Sequence, residues 1–202
     1  MSDEHVISNL EPPGAGLPPF QGFMAKHFLF PFFCGFYNWS RAMELYKVES
    51  DRILDLSVHL HPEDLTRKIL VPRLAGLEDS SRYWSVSMTL EHLMIVGESV
   101  KTTIIMLSHD EIPPGKADTA AVKPQGIYGP EVIEKFRSFV DEYCWEIQEK
   151  AKKRRTKRTY DHPWFGPLTA RRWVRMGALH QKLHRSQIEH IVIKLKSSHQ
   201  NS

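Results

Sequence analysis

Four long stretches in which apolar residues recur every three or four positions constrain the fold of this chain more than any other feature. The stretches cover about residues 38–60, 81–108, 130–155 and 169–196. This spacing predicts helices rather than strands. Pro130 suits the first turn of the third helix, and Thr169 suits the N-cap of the fourth. Helices of this size are about 35–42 Å long, which is the dimension of a four-helix bundle.

The segments between these helices contain proline- and glycine-rich loops and no convincing strand signal. The sequence therefore predicts an all-α fold. A length of 202 residues suits one compact domain. The loop between the second and third helices is long, so the bundle has room for an order other than simple up-and-down.

The first 37 residues differ in composition from the rest of the chain. Residues 1–20 are rich in proline and glycine, which predicts a flexible arm, and residues 23–37 contain a run of aromatic side chains. This run either lies across the bundle or forms a subunit contact or a lid, because exposed apolar patches commonly mark interfaces. The predicted organisation is an arm and aromatic segment at 1–37, a helical bundle at 38–196 and a tail at 197–202.

Composition predicts a cytoplasmic protein. The N-terminus is acidic and polar, unlike a signal peptide, and charges and a proline interrupt the most apolar stretch, residues 23–37, which is too short to span a bilayer. Cys34 and Cys144 have no metal-binding spacing, and both lie among aromatic residues. We therefore expect structural thiols in a reducing compartment and no membrane contact.

Seven lysine and arginine residues lie between positions 150 and 158, and the net charge of the whole chain is +3. The run falls where the third helix is expected to end, where cations interact favourably with the helix dipole. We therefore expect a solvated surface and no specific nucleic-acid binding. The alternative, a site for phosphate backbones, remains open.

Three histidines form the candidate chemical site. His180 and His184 lie four residues apart in the fourth predicted helix, so both imidazoles leave the same helix face about one turn apart. His92 lies within the second predicted helix among mostly apolar neighbours at helical spacing, so it is also expected to point inward. Gln187 continues the face of the histidine pair and is expected beside it.

One histidine from one helix and a pair from a facing helix make a plausible three-ligand metal site. Three neutral imidazoles suit Zn, Ni or Fe, and they leave coordination positions open for water or substrate. The alternative is that each histidine makes an ordinary hydrogen bond. The other histidines fall in tails, loops or helix ends and are predicted to be non-ligands.

Two motifs resemble the DinB-like family. Residues 84–93 (WSVSMTLEHL) resemble the second helix of DinB-like proteins, whose first metal histidine stands where His92 stands here. Residues 162–169 (HPWFGPLT), together with Trp173 and the His180–Gln187 segment, resemble the loop and fourth helix of one branch of that family.

The resemblance extends over about residues 38–195 and implies a DinB-like four-helix bundle with an N-terminal extension that has no family counterpart. It also implies that His92, His180 and His184 bind one divalent metal ion and that the chain forms a homodimer.

Related proteins of known activity include thiol-dependent transferases and isomerases that use bacillithiol, mycothiol or glutathione. The resemblance therefore implies a metal-dependent thiol S-transferase-like enzyme, in which the metal lowers the pKa of a thiol or of water. The alternative is a non-catalytic metal-binding or stress-related interaction protein with a basic surface. No hydrolase, zincin or P-loop motif occurs.

The catalytic residues cannot be named from the sequence, because no general acid or base is evident beside the three histidines. Glu91 lies about 100° around the helix from His92 and is predicted to face solvent or a neighbouring helix.

Overall fold

The computed structural model describes residues 3–200. In chain order, the α-helices are α1 (Asp3–Ser8), α2 (Pro19–Met24), α3 (Phe30–Phe36), α4 (Trp39–Ser57), α5 (Pro62–Thr66), α6 (Val86–Ser108), α7 (Val132–Lys150) and α8 (Ala170–Gln200). The strands are β1 (Ile69–Leu70), β2 (Tyr83–Trp84), β3 (Thr159–His162) and β4 (Gly166–Thr169). The four long helices α4, α6, α7 and α8 form the bundle, which confirms the predicted all-α, four-helix-bundle fold.

Polar side chains set where two of the bundle helices begin. Asn38 precedes α4, and its side chain accepts a hydrogen bond from the backbone N–H of Arg41 at 2.9 Å. Ser85 does the same for α6, where its hydroxyl accepts from the N–H of Met88 at 3.1 Å. This cap makes α6 begin at Val86 rather than near residue 81.

The prediction that no strands lie between the helices was wrong at two places. Strand β1 pairs antiparallel with β2, and β3 pairs antiparallel with β4. Strands of two to four residues are too short for an alternating pattern to be recognised in the sequence. In the β3–β4 hairpin, Gly166 has a φ of +69°, a conformation that L-residues rarely adopt.

Helix α8 packs against α4 and α6, and α7 packs against the same two helices, so α4 and α6 lie across the bundle from each other. The third and fourth long helices of the chain thus lie between the first and second. Each bundle helix contributes fully buried apolar side chains to one core, for example Ile53, Leu90, Phe136 and Ile188.

The N-terminal segment contains helix where the sequence predicted a flexible arm. Helix α1 lies within this segment, and the N–H of Glu11 donates a hydrogen bond to Asp79 at 3.2 Å. From Pro19 to Phe36 the chain is continuously helical, because a π-helical turn, Ala25–Leu29, joins α2 to α3. The division of the chain at residues 37 and 196 stays a prediction.

Only one large side chain of the aromatic run is buried in the bundle. Phe30 is buried and stacks on Phe165, with 4.4 Å between ring centroids. The exposed large apolar side chains of this segment are Phe20, Phe23, Phe28, Leu29, Phe32 and Phe36. Among residues 3–200, none of the helices has both the length and the apolar character to cross a bilayer.

Candidate metal centre

The structure brings the three predicted histidines together at one point between α6 and α8. The Nε2 atom of His180 lies 3.3 Å from Nε2 of His92 and 3.1 Å from Nε2 of His184. One ring nitrogen from each histidine can be chosen so that all three lie within 4.8 Å of one another. His92 and His184 are buried, and His180 is half-buried.

Hydrogen bonds at Nδ1 determine which ring nitrogen of His92 and of His184 carries the hydrogen. Nδ1 of His92 donates to the carbonyl of Val122 at 2.7 Å, and Nδ1 of His184 donates to Oε1 of Gln187 at 2.7 Å. Gln187 is oriented in turn because its amide nitrogen donates to the carbonyl of Ser81 at 2.8 Å. Carbonyl oxygens only accept, so the Nε2 atoms of both histidines carry lone pairs that point inward.

The inward lone pairs of His92 and His184 can both bind a cation, whereas hydrogen bonds among the three rings cannot satisfy both of them. His180 can donate at most one hydrogen from its Nε2, so it cannot satisfy both His92 and His184. In a tetrahedral zinc site, metal–nitrogen distances of about 2.0–2.1 Å place two ligand nitrogens roughly 3.3 Å apart. The observed separations of 3.3 and 3.1 Å are close to that value.

Burial keeps the three imidazoles in the neutral form that binds metals. It lowers the pKa of His92 to about 4, and it lowers the pKa of His180 and of His184 well below the ordinary value. The positive charge of Lys123 lowers all three pKa values further. The three ring nitrogens are therefore available as ligands at neutral pH without loss of a proton.

Trp84 covers one side of the site. Its ring is parallel to that of His184, with centroids 6.2 Å apart, and is tilted against that of His92 at 5.0 Å. The residue is buried at the end of β2, next to the cap of α6. The sequence reasoning missed this contact, because Trp84 was assigned to the second helix rather than to a strand.

A cavity of about 490 Å³ opens beside the three histidines, all of which line it. Apolar side chains make much of its wall, including Val96, Val100, Trp173, Met176 and Leu183. His162, predicted to be a non-ligand, also lines the cavity, and its Nδ1 accepts a hydrogen bond from the N–H of Trp164 at 3.1 Å. Burial lowers the pKa of His162 to about 4.

The prediction that Glu91 faces solvent or a neighbouring helix was wrong. Glu91 is buried, and its carboxylate accepts hydrogen bonds from the N–H groups of Gln125 and Gly126 at 3.0 and 2.8 Å. It thereby holds the loop that carries Val122, the acceptor for His92. Helical spacing could not reveal this role, because the partner is a loop with no periodic pattern.

Glu78 and Lys123 are further polar residues that the sequence reasoning missed. Both line the cavity with the three histidines, and they form an ion pair in which the side chains are 4% and 16% exposed. Nζ of Lys123 also donates to the hydroxyl of Ser81 at 3.0 Å. Both residues lie in loops, and no motif distinguishes them in the sequence.

The two cysteines lie outside this group. Both are free and half-buried, and burial raises the pKa of Cys34 and raises that of Cys144 to about 11. A reactive cysteine needs a lowered pKa, so these values favour structural thiols.

Comparisons with known proteins assign no family to this chain. No family model matches the chain, and no curated protein matches it. A crystal structure of TT2238, described as a four-helix bundle protein, is similar to this chain with a TM-score of 0.48 and 20% sequence identity. The similarity covers 75% of this chain and 97% of TT2238.

Proposed function

We propose that this chain is a DinB-like metal-binding protein in which His92, His180 and His184 hold one divalent ion. The observation that carries the proposal is the convergence of three Nε2 atoms, two of them on rings whose Nδ1–H groups are engaged by carbonyl oxygens. Zn, Ni and Fe suit a set of three neutral imidazoles.

We further propose that the protein is a metal-dependent transferase that uses a small thiol such as bacillithiol, mycothiol or glutathione. A bound metal lowers the pKa of a thiol or water molecule and so supplies a nucleophile at neutral pH. The cavity beside the histidines offers an apolar wall for an electrophile. Lys123 and Glu78 lie in the same wall as an ion pair, and the ring of Trp84 packs against His92 and His184.

Elemental analysis of protein purified without chelator tests the metal site. We expect one metal ion per chain, and we expect none in the variants His92→Ala, His180→Ala and His184→Ala. His190→Ala is the matched control, because His190 also lies on α8 but its Nδ1 bonds to the carbonyl of Ser186 on its own helix at 2.8 Å. Full metal occupancy in His184→Ala would show that the metal does not bind at these histidines.

Titration of the cobalt-loaded protein with each candidate thiol tests the transferase proposal. A thiolate that binds cobalt produces a charge-transfer absorbance band, so a saturable band identifies the preferred thiol. If one metal binds per chain and no thiol produces the band, the non-catalytic metal-binding alternative replaces the transferase.

A further inference from the structure

A second, larger groove lies between the N-terminal helical segment and α8. Its volume is about 1050 Å³, and it is lined by residues of the N-terminal segment, of the loop at 74–76 and of α8. Two contacts hold the N-terminal segment on the bundle. Phe30 stacks on Phe165, and the guanidinium of Arg175 donates to the carbonyl of Tyr37. Helix α3 is therefore attached to the bundle at both of its ends.

The wall of this groove is apolar and open to an incoming molecule. Leu29, Phe32 and Phe36 line it, and these side chains are 59%, 68% and 60% exposed. Leu179 and Leu183 of α8 line it as well. Small-molecule pockets are mostly apolar and have volumes of about 300–1,000 Å³. The groove is therefore large enough for a long hydrocarbon chain.

Every charged side chain in the wall of the groove is positive. The wall contains Arg41, Lys182 and Arg185 and, among residues 3–200, no aspartate or glutamate. Arg185 forms ion pairs with Glu49 and Glu189, whereas Arg41 and Lys182 form none within that part of the chain. An apolar molecule that carries a negative charge would therefore meet two cations that no carboxylate of the protein neutralises.

We propose that this groove binds a long-chain fatty carboxylate. Its hydrocarbon chain packs on the aromatic and leucine side chains of the wall, and Arg41 and Lys182 attract its carboxylate. The site goes beyond the proposed function, because none of its contacts involves the metal or the thiol.

The groove is next to the candidate metal centre but does not occupy the whole aromatic run. His180, Met176 and Leu183 line both the groove and the cavity at the three histidines. Phe23 and Phe28 are exposed and do not line the groove, so they are available for contact with a second copy of the chain.

Isothermal titration calorimetry with dodecanoate and dodecyltrimethylammonium, both below their micelle concentrations, tests the proposal. The two probes have the same hydrocarbon chain and opposite charges. We expect one dodecanoate per chain, bound at least about tenfold more tightly than the ammonium probe, because Arg41 and Lys182 attract the first and repel the second.

The variant Arg41→Gln/Lys182→Gln tests the role of the two cations. It should weaken dodecanoate binding by about tenfold and should not weaken binding of the ammonium probe. Lys194→Gln/Lys196→Gln is the matched control, because it also removes two charges from exposed residues, and neither of these lysines lines the groove. Its affinity for dodecanoate should equal that of wild type.

A pair of phenylalanines of similar exposure tests the position of the hydrocarbon chain. Phe36 lines the groove and is 60% exposed, whereas Phe28 is 54% exposed and does not line it. Phe36→Ser should weaken binding of both probes by about tenfold, since apolar surface is lost from the contact. Phe28→Ser should leave both affinities unchanged.

Equal affinity of wild type for the two probes, or equal effects of Phe36→Ser and Phe28→Ser, would show adhesion to exposed aromatic side chains in general and would overturn the proposal. Loss of dodecanoate binding at protein concentrations where light scattering shows a dimer would also overturn it, because a second copy would then fill the groove.

Metal-free wild-type protein separates this site from the proposed function. It should bind dodecanoate with unchanged affinity, so a failure of the metal site would leave the fatty carboxylate site standing. Dodecanoate binding that requires the metal would place the carboxylate at the histidines and overturn its assignment to Arg41 and Lys182.

Discussion

A single residue, Gln187, connects the candidate metal site to the loop before α6 through two hydrogen bonds. Its amide oxygen accepts from Nδ1 of His184, and its amide nitrogen donates to the carbonyl of Ser81. A carbonyl partner on a ligand histidine sets the ring orientation and the tautomer, and it raises the basicity of the nitrogen that faces the metal. The residue is fully buried.

We expect Gln187→Ala to weaken metal binding by about 10- to 100-fold without abolishing it, because the three ligands remain but His184 loses its orienting partner. Competition with a chelator of known affinity measures the change. Gln181→Ala is the control, since Gln181 is also a buried amide on α8. If Gln187→Ala and wild type bind the metal with equal affinity, Gln187 does not orient His184 for metal binding.

The metal-free protein should lose stability as the pH falls from about 6.5 towards 4. Burial lowers the pKa of His92 from 6.5 to about 4, so between these values the unfolded chain binds a proton that the folded chain does not. Above pH 6.5 His92 is neutral in both states and the unfolding free energy is at its full value. On acidification, proton uptake by the unfolded chain lowers that free energy. One pKa unit corresponds to about 1.4 kcal/mol, so His92 alone contributes up to about 3 kcal/mol.

Urea unfolding in the presence of a chelator, from pH 7.5 to 4.5, measures this dependence. The variant His92→Gln should show a smaller loss of unfolding free energy over the same range. An unfolding free energy that is equally pH-dependent in both proteins would show that His92 does not contribute.

At the scale of the helices, Gly177 of α8 leaves room for the side chain of Tyr143, which extends from α7 into the core of the bundle. A Cβ atom at this position would lie 2.9 Å from the hydroxyl of Tyr143 and 3.4 Å from a methyl group of Val100. Tyr143 cannot easily move aside, because it is fully buried and stacks on Tyr46 with ring centroids 4.0 Å apart. The packing of the Tyr143 side chain against α8 therefore depends on the absence of a side chain at position 177.

We expect Gly177→Ala to destabilise the fold by on the order of 1 kcal/mol, because overpacking costs about 1–3 kcal/mol and outweighs the ~0.5–1 kcal/mol that alanine gains over glycine in a helix. Gly35→Ala in α3 is the control, since nothing lies within 4 Å of a Cβ built there. It should leave stability unchanged or raise it slightly. Thermal unfolding of both variants measures the change in stability. A Gly177→Ala variant that is more stable than wild type would show that Tyr143 does not crowd this position.

The basic run of residues 150–158 lies at the surface of the molecule, at and beyond the end of α7. Lys150 pairs with Glu146, and Nζ of Lys153 lies 2.6 Å from Asp110. The guanidinium of Arg154 lies 5.2 Å from the ring centroid of Trp39. These three cations therefore already have partners within the chain.

We expect only weak DNA binding that disappears at about physiological salt. A backbone-binding site would show a steep salt dependence, with each neutralised phosphate of duplex DNA adding about 0.9 to the slope. Fluorescence anisotropy with labelled duplex and single strands measures this. Tight binding at physiological salt that is lost in Arg154→Glu/Arg155→Glu would favour the interaction-protein alternative.

We also propose that the whole molecule is a homodimer that pairs through the aromatic run of residues 23–37 and the neighbouring Phe20. Phe20 and Phe32 are 74% and 68% exposed, and burial of such side chains stabilises association. Light scattering should show a dimer, and Phe20→Ser/Phe32→Ser should shift it to a monomer. Ile193→Ser is the control, because Ile193 is 61% exposed on α8. A wild-type monomer at all concentrations would contradict the proposal.

The sequence by itself was sufficient to predict the four bundle helices and to place two histidines on one helix face. Helical periodicity, capping residues and the spacing of His180 and His184 are local properties, in which each residue interacts with others three or four positions away. The inward direction of His92 followed from the same local pattern, and so did the position of Gln187 beside the pair.

Only the tertiary structure decided what surrounds these histidines. Val122 lies 30 positions from His92, and Ser81 lies 106 positions from Gln187. Glu78 and Lys123 meet across 45 positions, from two loops that have no periodic pattern. The conformation of such loops depends on the surfaces against which they pack, so their polar atoms reach the site only once the bundle has formed.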